Sequence, residues 1–274
     1  MTHASGDAPP AVTQRTGMTE ALNAALEIDP RRTAIITIDC HRGHLDPAIA
    51  TMPVAAGQAE RVVAAAGRLV REGRAAGIPV IHVILQTRVR ADGTAESMSN
   101  PFWRAVEAAE QSLTPELPST VRGHNLAGSP QTELMPELGP EPGDLVIDTK
   151  RRLSIFRGTD LDLLLSGLGA DTVVLCGINT NTCVLCACFE AFNSDLRVVV
   201  VSDAVASMYG EDLHFFGLQN IARCLGWVVG LDELLGRIGG REAPAGLSRS
   251  RPRRDPASPA PARAGDRGGL PQHC

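Results

Sequence analysis

Six apolar runs recur along this chain, with helix-length stretches between them. Residues 33–39 (TAIITID), 78–85 (IPVIHVIL), 144–149, 171–178 (DTVVLCGI), 197–201 and 226–229 read as strands. Near-continuous apolar runs of this length belong to strands covered on both faces. Helical patterns occupy 54–76, 160–168, 182–193, 211–224 and 231–238. The first is closed by Gly77 with Pro79 beyond it. Strand–helix alternation implies right-handed crossovers and a parallel sheet. The expected fold is α/β: a doubly wound, six-stranded, mostly parallel sheet with helices on both faces. Such sheets bind ligands beyond the carboxyl ends of their strands.

Three regions depart from the rhythm. Residues 86–143 contain Pro, Gly and Ser and one short helix near 102–111, and are expected to form a lid or binding insertion. Residues 1–27 read as an arm with a short helix at 18–26. Residues 241–274 are rich in Arg, Pro and Ala and are expected to be disordered. One domain is left, at 28–240.

Charge and composition narrow the function. Net charge is −5, yet the last 34 residues hold seven Arg against three acidic residues, so the rest carries −9. With 3% aromatics, such a body suits neither nucleic-acid phosphates nor base stacking. No stretch reaches the roughly 20 apolar residues of a membrane span, and residues 1–10 lack the basic and apolar regions of a signal peptide. Of seven Cys, Cys40 and Cys176 lie in strand runs and Cys183, Cys186 and Cys188 share one segment. Reduced thiols in a cytoplasm are expected.

Basic residues number 26, and all but Lys150 are Arg. Arg stays protonated in proteins, whereas Lys shifts its pKa when buried and can take part in proton transfer. Lys150 ends the third strand, Asp39 ends the first, and Cys183 begins the helix after the fourth. All three project from the functional edge. A base, a cation and a helix N-terminus beside a thiol are expected to lower its pKa, giving nucleophile–base–orienter chemistry with Cys in place of Ser. Cys183 and Cys186 also form a C-x-x-C pair, but it lies within a helix and no second Cys or His pair follows at ligand spacing.

The blocks TAIITID, DLVIDTK and GINTNTCV, in this order and on these elements, resemble the isochorismatase-like cysteine hydrolases across about 30–238. Residues 150–161 (KRRLSIFRGTDL) are similar to that family's Lys-x-x-x-Ser-x-Phe-x-x-Thr-x-Leu. The resemblance implies Asp39 as base, Lys150 as charge stabiliser and Cys183 as nucleophile. It also implies a cis Ile178–Asn179 peptide and an oxyanion hole made by the backbone N–H groups of Asn179 and Cys183. Family nicotinamidases bind a divalent ion through Asp-x-His after the second strand; this chain has LQTRVR at 85–90 there. No metal and no cofactor are therefore expected.

His41, His44, Phe156 and Met208 are candidate pocket residues. Met208 stands where related enzymes for carboxylate-bearing carbamoyl compounds can place an Arg; Arg42, Arg151 or Arg152 are candidate replacements. The expected function is metal-independent cysteine amidohydrolysis. A small amide or ureido compound is cleaved at a C–N bond through a thioester-type intermediate. A vinyl-ether hydrolase using only Asp39 and Lys150, and a catalytically silent binding or assembly protein of the same fold, are the alternatives. A homo-oligomer, dimer or tetramer, is expected.

Overall fold

The structure, a computed structural model, describes residues 15–93, 95, 100–113 and 123–239. The expected tail at 241–274 lies outside the described residues. Six strands form one sheet: β1 Thr33–Ile38, β2 Val80–Leu85, β3 Leu145–Lys150, β4 Thr172–Ile178, β5 Arg197–Ala206 and β6 Trp227–Val229. Their order is β3-β2-β1-β4-β5-β6, and every pairing is parallel. The chain winds outward one way from β1 and the other way from β4. The switch point falls between these two strands, and the crevice at their carboxyl ends is where such folds bind ligands.

Alternate residues of each central strand face opposite cores, which is why the strands read as continuous apolar runs. Ile35, Val174 and Val199 pack under α3 (Ala56–Ala75) and α8 (Leu231–Gly239). Ile36, Val173 and Val200 pack under α5 (Leu161–Leu168) and α6 (Leu185–Asn193). Two central strands approach closely at Gly177, whose φ is +120°. A Cβ there would lie 1.9 Å from the Ile38 carbonyl oxygen, so only glycine fits beside the switch point.

The remaining helices are α1 (Thr16–Ala24), α2 (Arg42–Leu45), α4 (Pro101–Leu113) and α7 (Glu211–Asn220). α1 is tied to the β6 edge, where Asn23 donates to the Val228 carbonyl at 2.9 Å and the Trp227 indole to Leu22 at 2.8 Å. β5 runs past its expected end at 201. A register shift against β4 between Leu175 and Gly177 carries it through Ser202 and Asp203, which interrupt the apolar pattern. The helices expected at 182–193 and 211–224 each overlap a π-helical turn, at Thr180–Val184 and Ile221–Leu225. Wider turns of this kind occur often at functional sites.

Candidate active site

Three strand ends deliver the three chemical side chains. Asp39 follows β1 with φ +54°, a left-handed conformation uncommon for a residue with a side chain. Lys150 closes β3 and is paired in register with Leu85. Cys183 sits in the π-helical turn after β4, so it does not open a regular α-helix. The Asn179 carbonyl accepts from both Thr182 and Val184 N–H at 3.1 Å, which fixes that turn. The Ile178–Asn179 peptide is cis.

β3 and the Cys183 turn are separated by two strands, and the long lysine stem spans the gap. Its ammonium bonds the Asp39 carboxylate and lies 3.2 Å from Cys183 Sγ. Asp39 and Lys150 are fully buried and Cys183 is 4% exposed. Burial alone would lower the Lys150 pKa; Asp39 and Cys183 outweigh it and raise it. Asp39 Oδ1 is buried with no hydrogen-bond partner.

The thiol departs from expectation. Burial pushes Cys183 up to about 12; Lys150 pulls downward, while Asp39 pushes further up. A cation beside a thiol lowers its pKa only if desolvation and a neighbouring carboxylate do not outweigh it. Here they do, and the pull toward a thiolate is outweighed.

Cys183 borders a cavity of about 70 Å³, together with Asn179, His44, His124, Trp103 and Met208. A larger cleft, of about 590 Å³, lies by Asp171 and Arg197 at the amino ends of β4 and β5, away from the triad. Met208 reaches the cavity because its N–H donates to Asn179 Oδ1 at 3.0 Å and Ser207 Oγ donates to Asn181 Oδ1 at 2.7 Å. His44 reaches it from α2. His124 and Trp103 come from the insertion and had no signal of their own in the sequence. Gly43 makes room for that insertion: a Cβ there would stand 1.9 Å from Asn125 Oδ1.

Other candidates fall elsewhere. His41 is fully buried behind His44, with ring centroids 5.1 Å apart, and does not border the cavity. Phe156 packs on the core under α5 and α6. It is held there because its N–H and that of Arg157 bond Ser154 Oγ, which donates to Glu190 at 2.5 Å. The Ser and Phe of the KRRLSIFRGTDL block thus shape the loop. Arg42 pairs with Asp46 and Glu133, both at 2.9 Å, and is not at the cavity. Arg151 and Arg152 border it. Among the described residues, no group of three or more His, Cys, Asp or Glu is arranged to hold a metal ion.

Comparison with known proteins gives the ancestry of this geometry. The isochorismatase domain family matches residues 33–233. The chain belongs to the isochorismatase family. Among its relatives, a ureidoacrylate amidohydrolase of Methylobacterium radiotolerans is 31% identical over 236 residues, covering 81% of this chain and 85% of that protein. A cysteine hydrolase from Pseudomonas syringae pv. phaseolicola superposes with TM-score 0.62 at 26% identity, covering 78% of this chain and 95% of the other. N-carbamoylsarcosine amidase from Thermoplasma acidophilum gives 0.57 at 25%, covering 73% and 97%. The chain is an isochorismatase-family hydrolase, with relatives named for cleaving non-peptide C–N bonds. No described helix is long and apolar enough to cross a membrane.

Proposed function

We propose that this chain is a metal-independent cysteine amidohydrolase acting on a small amide or ureido compound. One observation carries the reading. A single buried ammonium contacts both a carboxylate and a thiol, and the thiol borders a small cavity. These three groups supply nucleophile, base and counter-charge, so the chemistry asked of the site is complete without a Lewis acid. The relatives named for amidohydrolysis support the same reaction class.

Burial and Asp39 hold the thiol up, at about 12, so a free thiolate at pH 7 is a costly intermediate. Proton transfer to Asp39 Oδ1 in step with Sγ attack on the carbonyl avoids that intermediate. The ammonium of Lys150 stays between the two groups and balances the shifting negative charge. Backbone N–H groups of Asn179 and Cys183 hold the oxyanion; one such donor is typically worth roughly 2.7–4 kcal/mol. Collapse expels the amine or ammonia with the proton from Asp39. Water, deprotonated by Asp39, then cleaves the thioester or thiocarbamate, and the thiol regains its proton.

Ammonia release across biuret, ureidoacrylate, N-carbamoyl amino acids, maleamate and nicotinamide tests the reading, with Cys183→Ala as control. Turnover that vanishes in the variant supports it. Turnover of a vinyl ether that survives Cys183→Ala would favour the alternative that needs only Asp39 and Lys150.

A further inference from the structure

Three buried imidazoles cluster beside the triad. His41 and His44 are 5.1 Å apart and His44 and His124 4.9 Å, measured between ring centroids. His124 is occupied at both nitrogens: Nδ1 meets Thr51 Oγ1 at 2.7 Å and Nε2 meets Asn125 Nδ2 at 2.9 Å. His44 is different. Its Nδ1 lies 3.2 Å from the Met52 carbonyl oxygen, which only accepts, so Nδ1 carries the proton. A neutral ring protonated there presents Nε2 as an acceptor. Burial lowers the His44 pKa, which keeps the ring neutral. The residue is 4% exposed and borders the cavity, and no described residue bonds its Nε2. An acceptor without a protein partner, on a residue that borders a ligand cavity, is open to a substrate donor.

The chemistry decides which donor. A departing amide nitrogen must face Asp39 to take its proton. The acceptor on His44 is then left for the substituent across the carbonyl. We propose that His44 is a specificity-determining residue whose Nε2 accepts a hydrogen bond from a second substrate N–H. The cavity would thereby prefer ureido compounds, with nitrogen on both sides of the carbonyl, to carboxamides of the same shape. This rests on the amidohydrolase reading above. A carboxamide would leave the acceptor buried and unmatched, which discriminates by roughly 10- to 100-fold.

Two measurements test it. The first compares kcat/KM for isosteric pairs that exchange N–H for CH2: ethylurea with butyramide, and N-carbamoylglycine with succinamate. The wild-type preference for the ureido member should fall at least about tenfold in His44→Phe, which keeps an aromatic ring but no acceptor. His44→Gln returns an acceptor oxygen and should restore part of it. An unchanged ratio in His44→Phe overturns the proposal, because intrinsic reactivity cancels in the ratio of ratios. The second is ¹⁵N NMR of the wild-type imidazoles, which needs no turnover. A neutral His44 protonated at Nδ1 supports the proposal; protonation at Nε2, or at both nitrogens near pH 7, overturns it. If wild type hydrolyses none of the four compounds, the amidohydrolase reading has failed for them, and the NMR result still decides the acceptor.

Discussion

Asp39 and Asp144 are buried carboxylates at opposite ends of the sheet, and they differ in how completely they are satisfied. Asp144, just before β3, receives Arg74 Nε on Oδ1 at 3.1 Å. Its Oδ2 receives Arg74 Nη2 at 2.6 Å, the Glu141 N–H at 2.7 Å and His82 Nε2 at 3.2 Å. Burial alone would raise its pKa, but Arg74 and these donors outweigh it and hold it low. Asp39 has Lys150 on one oxygen and no hydrogen-bond partner on the other. A saturated carboxylate can only brace the fold. One with an unpartnered oxygen beside a thiol can take a proton. The position of that oxygen at the switch point makes the difference chemical as well as structural.

The comparison breaks first under paired amide substitutions. Asp39→Asn keeps the shape and removes the proposed base, and kcat/KM is expected to fall roughly 10³- to 10⁴-fold. Asp144→Asn should act the other way. Denaturant unfolding should show a loss of about 3 kcal/mol, since Arg74 loses its buried partner, while the folded fraction keeps wild-type kcat/KM within about threefold. If Asp144→Asn matched Asp39→Asn in activity loss at equal foldedness, the distinction between the two sites would be wrong.

Lys150→Arg sharpens the same point, because charge is kept and only shape changes. A planar guanidinium does not fit where one compact ammonium meets both Asp39 and Cys183. A displacement of about 1 Å costs roughly 100-fold in kcat/KM. Wild-type turnover in this variant would mean that the lone lysine acts as a charge alone.

The smallest effect concerns pH. His41, His44 and His124 all have lowered pKa values, chiefly from burial. A histidine that is harder to protonate when folded contributes stability that is fully present above its unfolded pKa of about 6.5. That contribution is lost as pH falls from there through the lower folded values, because the unfolded chain binds the protons more readily. Thermal unfolding should therefore shift down between pH 7.5 and 5, by about 2–4 °C for each kcal/mol lost. A Tm that rises on acidification would contradict the buried, neutral state of the three rings.

Much of this was legible in the sequence because the signals were local. Continuous apolar runs marked the strands, and Asp39, Lys150 and Cys183 stood at strand ends, where parallel sheets place their chemistry. Pocket composition was less legible. His124 and Trp103 reach the cavity from an insertion whose path is set by contacts distant in sequence, such as Gly43 with Asn125. Phe156 is a pocket candidate in the sequence, but it packs against the core beside the loop that the Ser154 hydrogen bonds shape. The direction of the thiol shift is hidden from the sequence for a similar reason. Neighbouring charges can be read from a motif, whereas the desolvation that outweighs them depends on the whole fold.

The most direct test of a neutral thiol that becomes nucleophilic only on attack is to trap what it forms. Wild-type enzyme would be acid-quenched within single turnovers of any amide or ureido compound it hydrolyses, then digested and mapped by mass spectrometry. The account predicts an acyl or carbamoyl adduct on Cys183, absent from Cys186 and from exposed Cys224. It also predicts no turnover in Cys183→Ala. Hydrolysis that persists in Cys183→Ala, with no adduct in wild type at any quench time, would contradict it.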